Sequence, residues 1–586
     1  MSTKHFFHEY EGLVVKSLRG LCHTNPSLSL IPEQKVIYRS AHNPAKVAII
    51  SGGGSGHEPA WSGYVGEGML TAAINGDIFG SPSAAQVMAG IDSVKSDKGT
   101  ILVITNYTGD KLHFGLACEK ARAKGLEVAV LAVTDDVALG RKRAGMVGRR
   151  GLAGNVMGLK ILGAASEAEY SFNECLSIGK AVNANLVTVG ASLDHCHVLG
   201  RINHEKVPGD VCVLGMGIHN EPGLQHISPL PSPESLIKQM LEFLLDPKDE
   251  DRAFVDFKQG DEVALLVNNF GGTSLLELQA LADETIDQLE STWSIYPKRT
   301  FCGTFETSLN GPGFSVSLLN ISGAAREHKT ITGEVLRLLD APTDAPAWPR
   351  VNYSIPAAAQ ATNGTNGTHT NGTFKAPIPG DRQVDPTLLF AAIRRACERA
   401  IASEPDLTTW DMEMGDGDCG ESVKAVCQSI LQSLPSAPDS SLLSFLSLLG
   451  TSIDAMGGTL GAIFGIFLAS LTASIRRQPE GIDTNQLLAN SVFEALQGLK
   501  SHSGARVGDR TVMDTLIPFC ETYKGTTSFE KAVKAGMDGA EGTRGMKARF
   551  GRATYVKGRE GYVEPPDPGA WAVREMLIGA LEVIRK

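Results

Sequence analysis

The sequence predicts an N-terminal α/β domain of two α/β subdomains, a flexible linker, and an all-α C-terminal domain packed as a bundle. Three observations predict it: the hydrophobic period changes partway along the chain, a low-complexity stretch marks the change, and the length is too great for one core. At 586 residues the chain exceeds the roughly 250 to 300 residues at which a single hydrophobic core stops growing. Hydrophobic residues make up 42% and charged residues 20%, a globular balance that excludes a disordered or fibrous chain.

In the first part, apolar β-rich runs alternate with helical stretches: Val47 to Ile50, Ile101 to Thr105, Val128 to Val133, Val211 to Ile218, Ala264 to Val267 and Phe314 to Leu319. Runs without polar alternation belong to strands covered on both faces. From about Ala341 to Pro379 the composition turns to Ala, Pro, Thr, Asn and Gly, and Thr362 to Thr373 is a near-repeat of Thr-Asn-Gly. Such a segment cannot bury enough apolar surface to order itself. Domains are therefore expected at 1–340 and 385–586, with 341–384 as the linker. Beyond it, apolar residues recur at helical spacing at Leu388, Leu389, Ala392 and Ile393, then over Leu442 to Leu449, Leu487 to Leu499 and Trp571 to Ile584. The longest apolar run, Leu460 to Ile475, contains Gly461, Gly465, Ser470 and Thr472. It falls short of the roughly 20 residues of a membrane span and is expected as a buried helix.

Fifty-four Lys and Arg stand against 65 Asp and Glu, a net charge of −11. An acidic chain repels phosphate backbones at long range, so no nucleic-acid partner is expected, nor a membrane. The N-terminus shows no apolar core with a cleavage site, and ten cysteines without a Cys-x-x-Cys pair fit reduced thiols. The expected location is the cytoplasm.

Glycine-rich and polar motifs follow the predicted strands: Ser51-Gly-Gly-Gly-Ser-Gly-His57-Glu-Pro59, Asn106-Tyr-Thr-Gly-Asp110, His219-Asn-Glu-Pro-Gly223 and Asn268-Asn-Phe-Gly-Gly-Thr-Ser274. Ligands of open α/β sheets bind at that edge, so these four loops are expected to meet in one pocket. Taken singly, His57, Asp110 and His219 read as surface or capping residues. Together, two histidines and an aspartate suffice for acid–base chemistry and for nucleophilic attack on a carbonyl. Asp194-His195-Cys196-His197 would place two His on one strand face, but structural zinc needs four ligands, and no metal is expected there.

In the second part, Asp411-Met-Glu-Met-Gly-Asp416-Gly-Asp418-Cys-Gly420 sets three carboxylates close together. They would raise one another's pKa unless a cation sat between them, and hard oxygen donors suit Mg²⁺. The motif is not an EF-hand, because Glu421 holds the position of the turn glycine. Gly457-Gly-Thr459-Leu460-Gly461 and Gly508-Asp-Arg-Thr511 offer backbone N–H groups to phosphate. Metal site and phosphate cradle together imply a nucleotide.

These motifs, with Asp567-Pro568-Gly569-Ala570, resemble the single-chain dihydroxyacetone kinases over nearly everything except the linker. The resemblance implies ATP-dependent phosphorylation of dihydroxyacetone, with D-glyceraldehyde as a further substrate and a homodimer formed through the first domain. It implies a second domain similar to a closed barrel of eight helices. By the same resemblance His219 forms a hemiaminal with the triose carbonyl, His57 and Asp110 act in acid–base roles, and Gly54, Ser55, Gly56 and Thr105 line the substrate. Asp411, Asp416 and Asp418 would bind Mg²⁺. Nucleotide contacts would come from Asp418, Cys419, Gly420, Glu421, Thr459, Leu460, Thr511, Val512, Arg552, Asp567, Pro568 and Gly569. Thr105 stands where Lys is common, Glu421 where a small hydroxyl residue follows Cys-Gly, and Leu460 where Ser is usual. Two other readings attach to the family: an FAD-AMP lyase that forms cyclic FMN in the second domain, and a triose-sensing regulator, which would not need the three carboxylates.

Overall fold

In the computed structural model the chain divides into two compact units, residues 1–361 and 362–586. The structure describes residues 4–7, 9–144, 148–200, 206–349, 380–414, 417–434, 440–454, 456, 458–549 and 563–585.

The first unit contains two six-stranded sheets. One is formed by β1 (Leu28–Ile31), β2 (Val36–Arg39), β3 (Ala48–Ser55), β4 (Ala72–Ile78), β5 (Thr100–Thr105) and β6 (Val128–Val133), in the order β1-β2-β4-β3-β5-β6. β4, β3, β5 and β6 run parallel, with β1 and β2 antiparallel at one edge. β5 is buried along its whole length, which is why its sequence shows no polar alternation. The glycine-rich segment expected as a loop from Ser51 instead continues β3 to Ser55, where a Cβ on Gly52 would lie 2.4 Å from Ile74 O of the neighbouring strand; the loop that begins at Gly56 and the helix Thr108–Ala123 after β5 leave from the same edge.

The second sheet holds β7 (Leu186–Ser192), β8 (Cys212–Leu214), β9 (Gln225–Ile227), β10 (Val263–Asn269), β11 (Arg299–Gly303) and β12 (Gly313–Asn320), in the order β11-β10-β12-β7-β8-β9. Its β10–β11 pair is parallel and the other pairs are antiparallel. The run expected as a strand from Val211 to Ile218 is strand over Cys212–Leu214. Gly215 has φ 79°, a left-handed conformation that only glycine adopts at little cost, and it turns the chain out of the sheet. Residues 215–223 are thereby released as the loop that carries His219.

The segment expected as linker is packed at both ends. Ala345 and Trp348 are buried, the Trp348 ring lies 4.9 Å from that of Phe301, and Ala347 N–H donates to Gly63 O at 2.9 Å. On the far side, Val384 N–H donates to Ser440 O at 2.9 Å and Leu443 N–H to Asp381 Oδ1 at 2.9 Å. One large aromatic in a Pro- and Ala-rich stretch anchors the residues after 340, a signal that average composition hides. The Thr-Asn-Gly near-repeat lies outside the described residues. Replacing Trp348 with Ala should lower the stability of the first unit by about 3 kcal/mol, seen in calorimetry as a lower first transition with the second unchanged.

The second unit is helical throughout its described residues, with nine helices. Eight of them, Pro386–Ala402, Cys419–Ser433, Leu442–Asp454, Gly458–Arg477, Thr484–His502, Met513–Thr526, Phe529–Gly542 and Pro568–Ile584, pack in sequence order, and the last returns to the first. This closed ring matches the expected barrel; the ninth helix, Glu404–Met414, bridges its start. Gly458–Arg477 departs from the expected buried helix. By length and composition it is apolar enough to cross a membrane, yet 17% of its apolar window is buried inside the unit. Ile463, Phe464 and Phe467 pack on the cluster around Leu496 and Phe519, and Leu468 and Leu471 on that around Leu442. Its apolar residues are shared among neighbouring clusters, Leu460 also packing on that around Val423, and most of them are only partly covered.

Candidate functional site

The loop after β3 turns at Gly56, whose φ is 100°, and places His57 in the interior, 3% exposed. His57 Nδ1 lies 2.7 Å from Thr307 O, and its ring stacks on Phe79 at 5.1 Å. Its Nε2 lies 3.0 Å from His219 Nε2. Burial and the charge of His219 push the pKa of His57 down to about 3.

His219 enters from the second sheet on the loop after β8. Asn220 takes φ 63°, a left-handed turn that Asn tolerates, and folds Glu221 back. Glu221 Oε2 accepts the His219 backbone N–H at 2.9 Å, and Oε1 lies 2.9 Å from His219 Nδ1. Tyr107 meets the His219 ring edge-on at 4.7 Å. Burial pushes the Glu221 carboxyl up, but the His219 contacts and the Arg150 charge outweigh it and hold it down to about 2.

Asp110 lies in the first turn of Thr108–Ala123 and is buried. Burial raises its carboxyl pKa, against a hydrogen bond from Ser81 and the charge of His219. Asp110 Oδ1, Trp61 Nε1 and Tyr107 OH are buried without a hydrogen-bond partner. A Cβ placed on Gly53 would lie 3.0 Å from Trp61 Nε1 and 3.8 Å from Asp110 Oδ2, so the indole N–H and the Asp110 carboxyl both border Gly53. Buried polar atoms are normally paired, and a small polyhydroxy ligand would pair them.

The other predicted residues of this site form its floor. Ser55 Oγ donates to Gly76 O at 2.8 Å, Gly56 N–H donates to Glu58 Oε2 at 2.9 Å, Gly54 lies against the Phe79–Gly80 backbone, and Thr105 lies against Gly151. The loop after β10 joins through Phe270, which packs with Ile218, Leu152 and Tyr107. His195 and His197 lie on a loop and not on a strand face. Their segment supports the His219 loop instead, since Cys196 N–H donates to Asn220 Oδ1 at 2.9 Å. Sequence reasoning missed Glu221, Arg150, Phe79 and Thr307. Glu221 was within reach, in the same short motif as His219. Thr307, 250 residues from His57, left no local signal.

In the second unit, Asp411 Oδ2 accepts Cys419 N–H at 3.0 Å, holding the start of Cys419–Ser433, where Asp418 is exposed. Gly420 is packed against Thr408 and Glu404, and Glu421 and Thr459 are exposed. Thr511 N–H donates to Asp514 Oδ2 at 2.8 Å. Asp567 caps Pro568–Ile584 by accepting Ala570 N–H at 2.8 Å. A Cβ on Gly569 would lie within 3.4 to 3.7 Å of Asp567 Oδ1, Val512 and Leu460, so four of the predicted nucleotide contacts are neighbours. Asp416 and Arg552 lie outside the described residues, and among the described residues no three metal-ligating side chains cluster. Burial pushes the Asp567 carboxyl up to about 6, with the charges of Asp514 and Asp411 adding to it. This crowding of hard oxygen donors is of the kind a divalent cation relieves.

A family model described as the Dak1 domain matches residues 19–347, and one described as the DAK2 domain matches residues 413–582. The chain is 42% identical to dihydroxyacetone kinase 1 of Saccharomyces cerevisiae, over 99% of each chain. It is 34% identical to the triokinase/FMN cyclase of Homo sapiens, over 100% of each. Among solved structures it is similar to the dihydroxyacetone kinase of C. freundii in complex with AMP-PNP and Mg²⁺, with a TM-score of 0.60 and 25% identity over 99% of this chain and 100% of that one.

Proposed function

Since this chain belongs to the single-chain dihydroxyacetone kinase family and is an ATP-dependent kinase of dihydroxyacetone, we propose that it holds the triose as a hemiaminal on His219 while Asp110 deprotonates the hydroxyl that receives phosphate. The observation that carries this reading is the approach of His57 Nε2 to His219 Nε2, 3.0 Å apart, beside a buried carboxylate with an unpaired oxygen. His219 Nε2 adds to the carbonyl carbon and His57 supplies the proton that the carbonyl oxygen takes up. Trp61 Nε1 and Tyr107 OH orient the remaining hydroxyls. Asp110 accepts the proton of the attacking hydroxyl, and the burial that raises its pKa makes it a stronger base than an exposed aspartate.

In the second unit, Asp411 and Asp418 would hold Mg²⁺, with Asp416 from the sequence motif, and the loops at Leu460, Val512 and Gly569 would hold the nucleotide. When bound, the metal neutralises charge on the transferring phosphates. The aldehyde of D-glyceraldehyde offers His219 the same electrophile, so it should be a second substrate, and assembly through the first unit would give a homodimer. ADP release measured with dihydroxyacetone, D-glyceraldehyde and glycerol in turn tests the reading: turnover of both carbonyl compounds and not of glycerol is expected. Similarity to a triokinase/FMN cyclase favours a secondary lyase activity, which release of cyclic FMN from FAD would reveal.

Asp110→Asn should keep the triose adduct but lower turnover by roughly 10²- to 10⁴-fold, the usual worth of a positioned base. Unchanged turnover with an intact adduct would leave Asp110 a structural residue.

A further inference from the structure

The hydrogen-bond geometry around the two histidines fixes more than their proximity. His57 Nδ1 faces the Thr307 carbonyl at 2.7 Å, which can only accept, so Nδ1 carries a hydrogen. His219 Nδ1 faces the Glu221 carboxylate at 2.9 Å, so it carries one too. A neutral imidazole has one N–H. Were both rings neutral, two lone pairs would point at each other across 3.0 Å.

We infer that the substrate-free site stores one proton between His57 Nε2 and His219 Nε2, and that Glu221 is the positioning residue that keeps it there and later balances the charge of the triose adduct. The inference rests on the reading that His219 carries the triose. The stored proton belongs on the His219 side, because that ring has a carboxylate partner whereas His57 is buried against Phe79. The groups facing the pair are Glu221, Asp110, Tyr107 and Arg150, and His113 faces Asp110. Arg150 is itself held by Asp136 Oδ2 at 2.7 Å and by Gly215 O at 2.9 Å. A Cβ on Gly217 would fall 2.0 Å from Glu221 Oε2 and 2.5 Å from Arg150 Nη1, so the glycine leaves room for carboxylate and guanidinium to lie together. Glu221 is thereby kept ionised from behind.

The reaction then balances within the site. His219 passes its Nε2 proton to His57 Nε2. The freed lone pair forms the N–C bond, the carbonyl π pair moves to oxygen, and that oxygen takes the proton from His57. His57 ends neutral, and His219 ends as an N-alkylated imidazolium whose Nδ1–H stays on Glu221. The positive charge has moved without change, and no proton is drawn from solvent.

The test follows the adduct by ¹³C NMR of dihydroxyacetone labelled at the carbonyl carbon, from pH 5 to 9, in the wild type, Glu221→Gln and Glu221→Asp. In Glu221→Gln the adduct should bind roughly 10- to 100-fold more weakly, as expected for losing a hydrogen bond between charged groups. Its population should also collapse at lower pH than in the wild type, because the imidazolium has lost its counter-charge. Glu221→Asp should restore much of both. Weaker binding with an unmoved pH profile, or no change in either, would overturn the role given to Glu221. Calorimetry of wild-type protein at pH 7 in buffers of different ionisation enthalpy gives a second measure independent of any variant: heats should not depend on the buffer, and uptake of one proton would overturn the stored-proton inference. Absence of a tetrahedral carbon signal in the wild type itself would instead overturn the hemiaminal reading.

Discussion

His219→Ala should abolish the covalent adduct and with it the discrimination between dihydroxyacetone and glycerol. Glycerol and dihydroxyacetone are nearly the same size and carry similar hydroxyls, and a pocket that judges by shape distinguishes such pairs by only about 1 to 3 kcal/mol. Glycerol has no carbonyl carbon for His219 Nε2 to attack, so wild-type selectivity is a test of chemistry. Without the imidazole, kcat/KM for dihydroxyacetone should fall by at least roughly 10²-fold, the scale of loss when a reacting group is no longer held in place. Any background rate with glycerol should stay where it was, so the ratio of the two shrinks toward what shape alone gives. ADP-release kinetics with each compound measures this directly. A variant that remains as selective as the wild type would remove His219 from the role proposed for it.

The second large effect is expected from Asp411→Asn and from Asp418→Asn. Asn at 411 can still accept the Cys419 N–H that Asp411 Oδ2 accepts now, and Asp418 is exposed, so neither change should disturb the start of the helix Cys419–Ser433. Each removes a negative oxygen from the proposed cation site, and the charge of Asp411 reaches Asp567 together with that of Asp514. Affinity for ATP in the presence of Mg²⁺ should fall by at least roughly 100-fold, whereas the triose adduct in the first unit should persist. Calorimetric titration of ATP, paired with the NMR signal of the adduct, separates the two. Near-wild-type ATP affinity in both variants would show that the cation is held elsewhere.

Much of this arrangement was legible in the sequence because buried strands write themselves as uninterrupted apolar runs. β5 and β6 fall on the expected runs almost residue for residue, and His57, Asp110 and His219 stand where motif order put them. What escaped has physical reasons. The mostly antiparallel second sheet has strands as fully buried as those of the first, and direction leaves no mark on composition. The run through Ile218 looked like one strand because Gly215 and Gly217 do not break an apolar pattern, although one turns the chain and the other makes room for a charge pair. Glu221 looked like an ordinary loop carboxylate; its importance comes from the backbone turn at Asn220, which tertiary structure imposes. Thr307 reaches His57 only after the two sheets have met.

The ring of the second unit is completed by its final helix. Arg399 of Pro386–Ala402 pairs with Glu575 at 2.6 Å and Glu582 at 2.7 Å, and Arg395 pairs with Glu582 at 2.6 Å, all on Pro568–Ile584. During synthesis, then, the unit's first helix waits through nearly the whole of its making for the partner that covers it. A nonsense or frameshift change between Arg477 and Asp567 does more than shorten the protein: it releases a chain whose first helix never meets that partner and whose apolar helix Gly458–Arg477 belongs to an unfinished ring. Such products are candidates for aggregation and proteolytic clearance, whatever becomes of the first unit made before them.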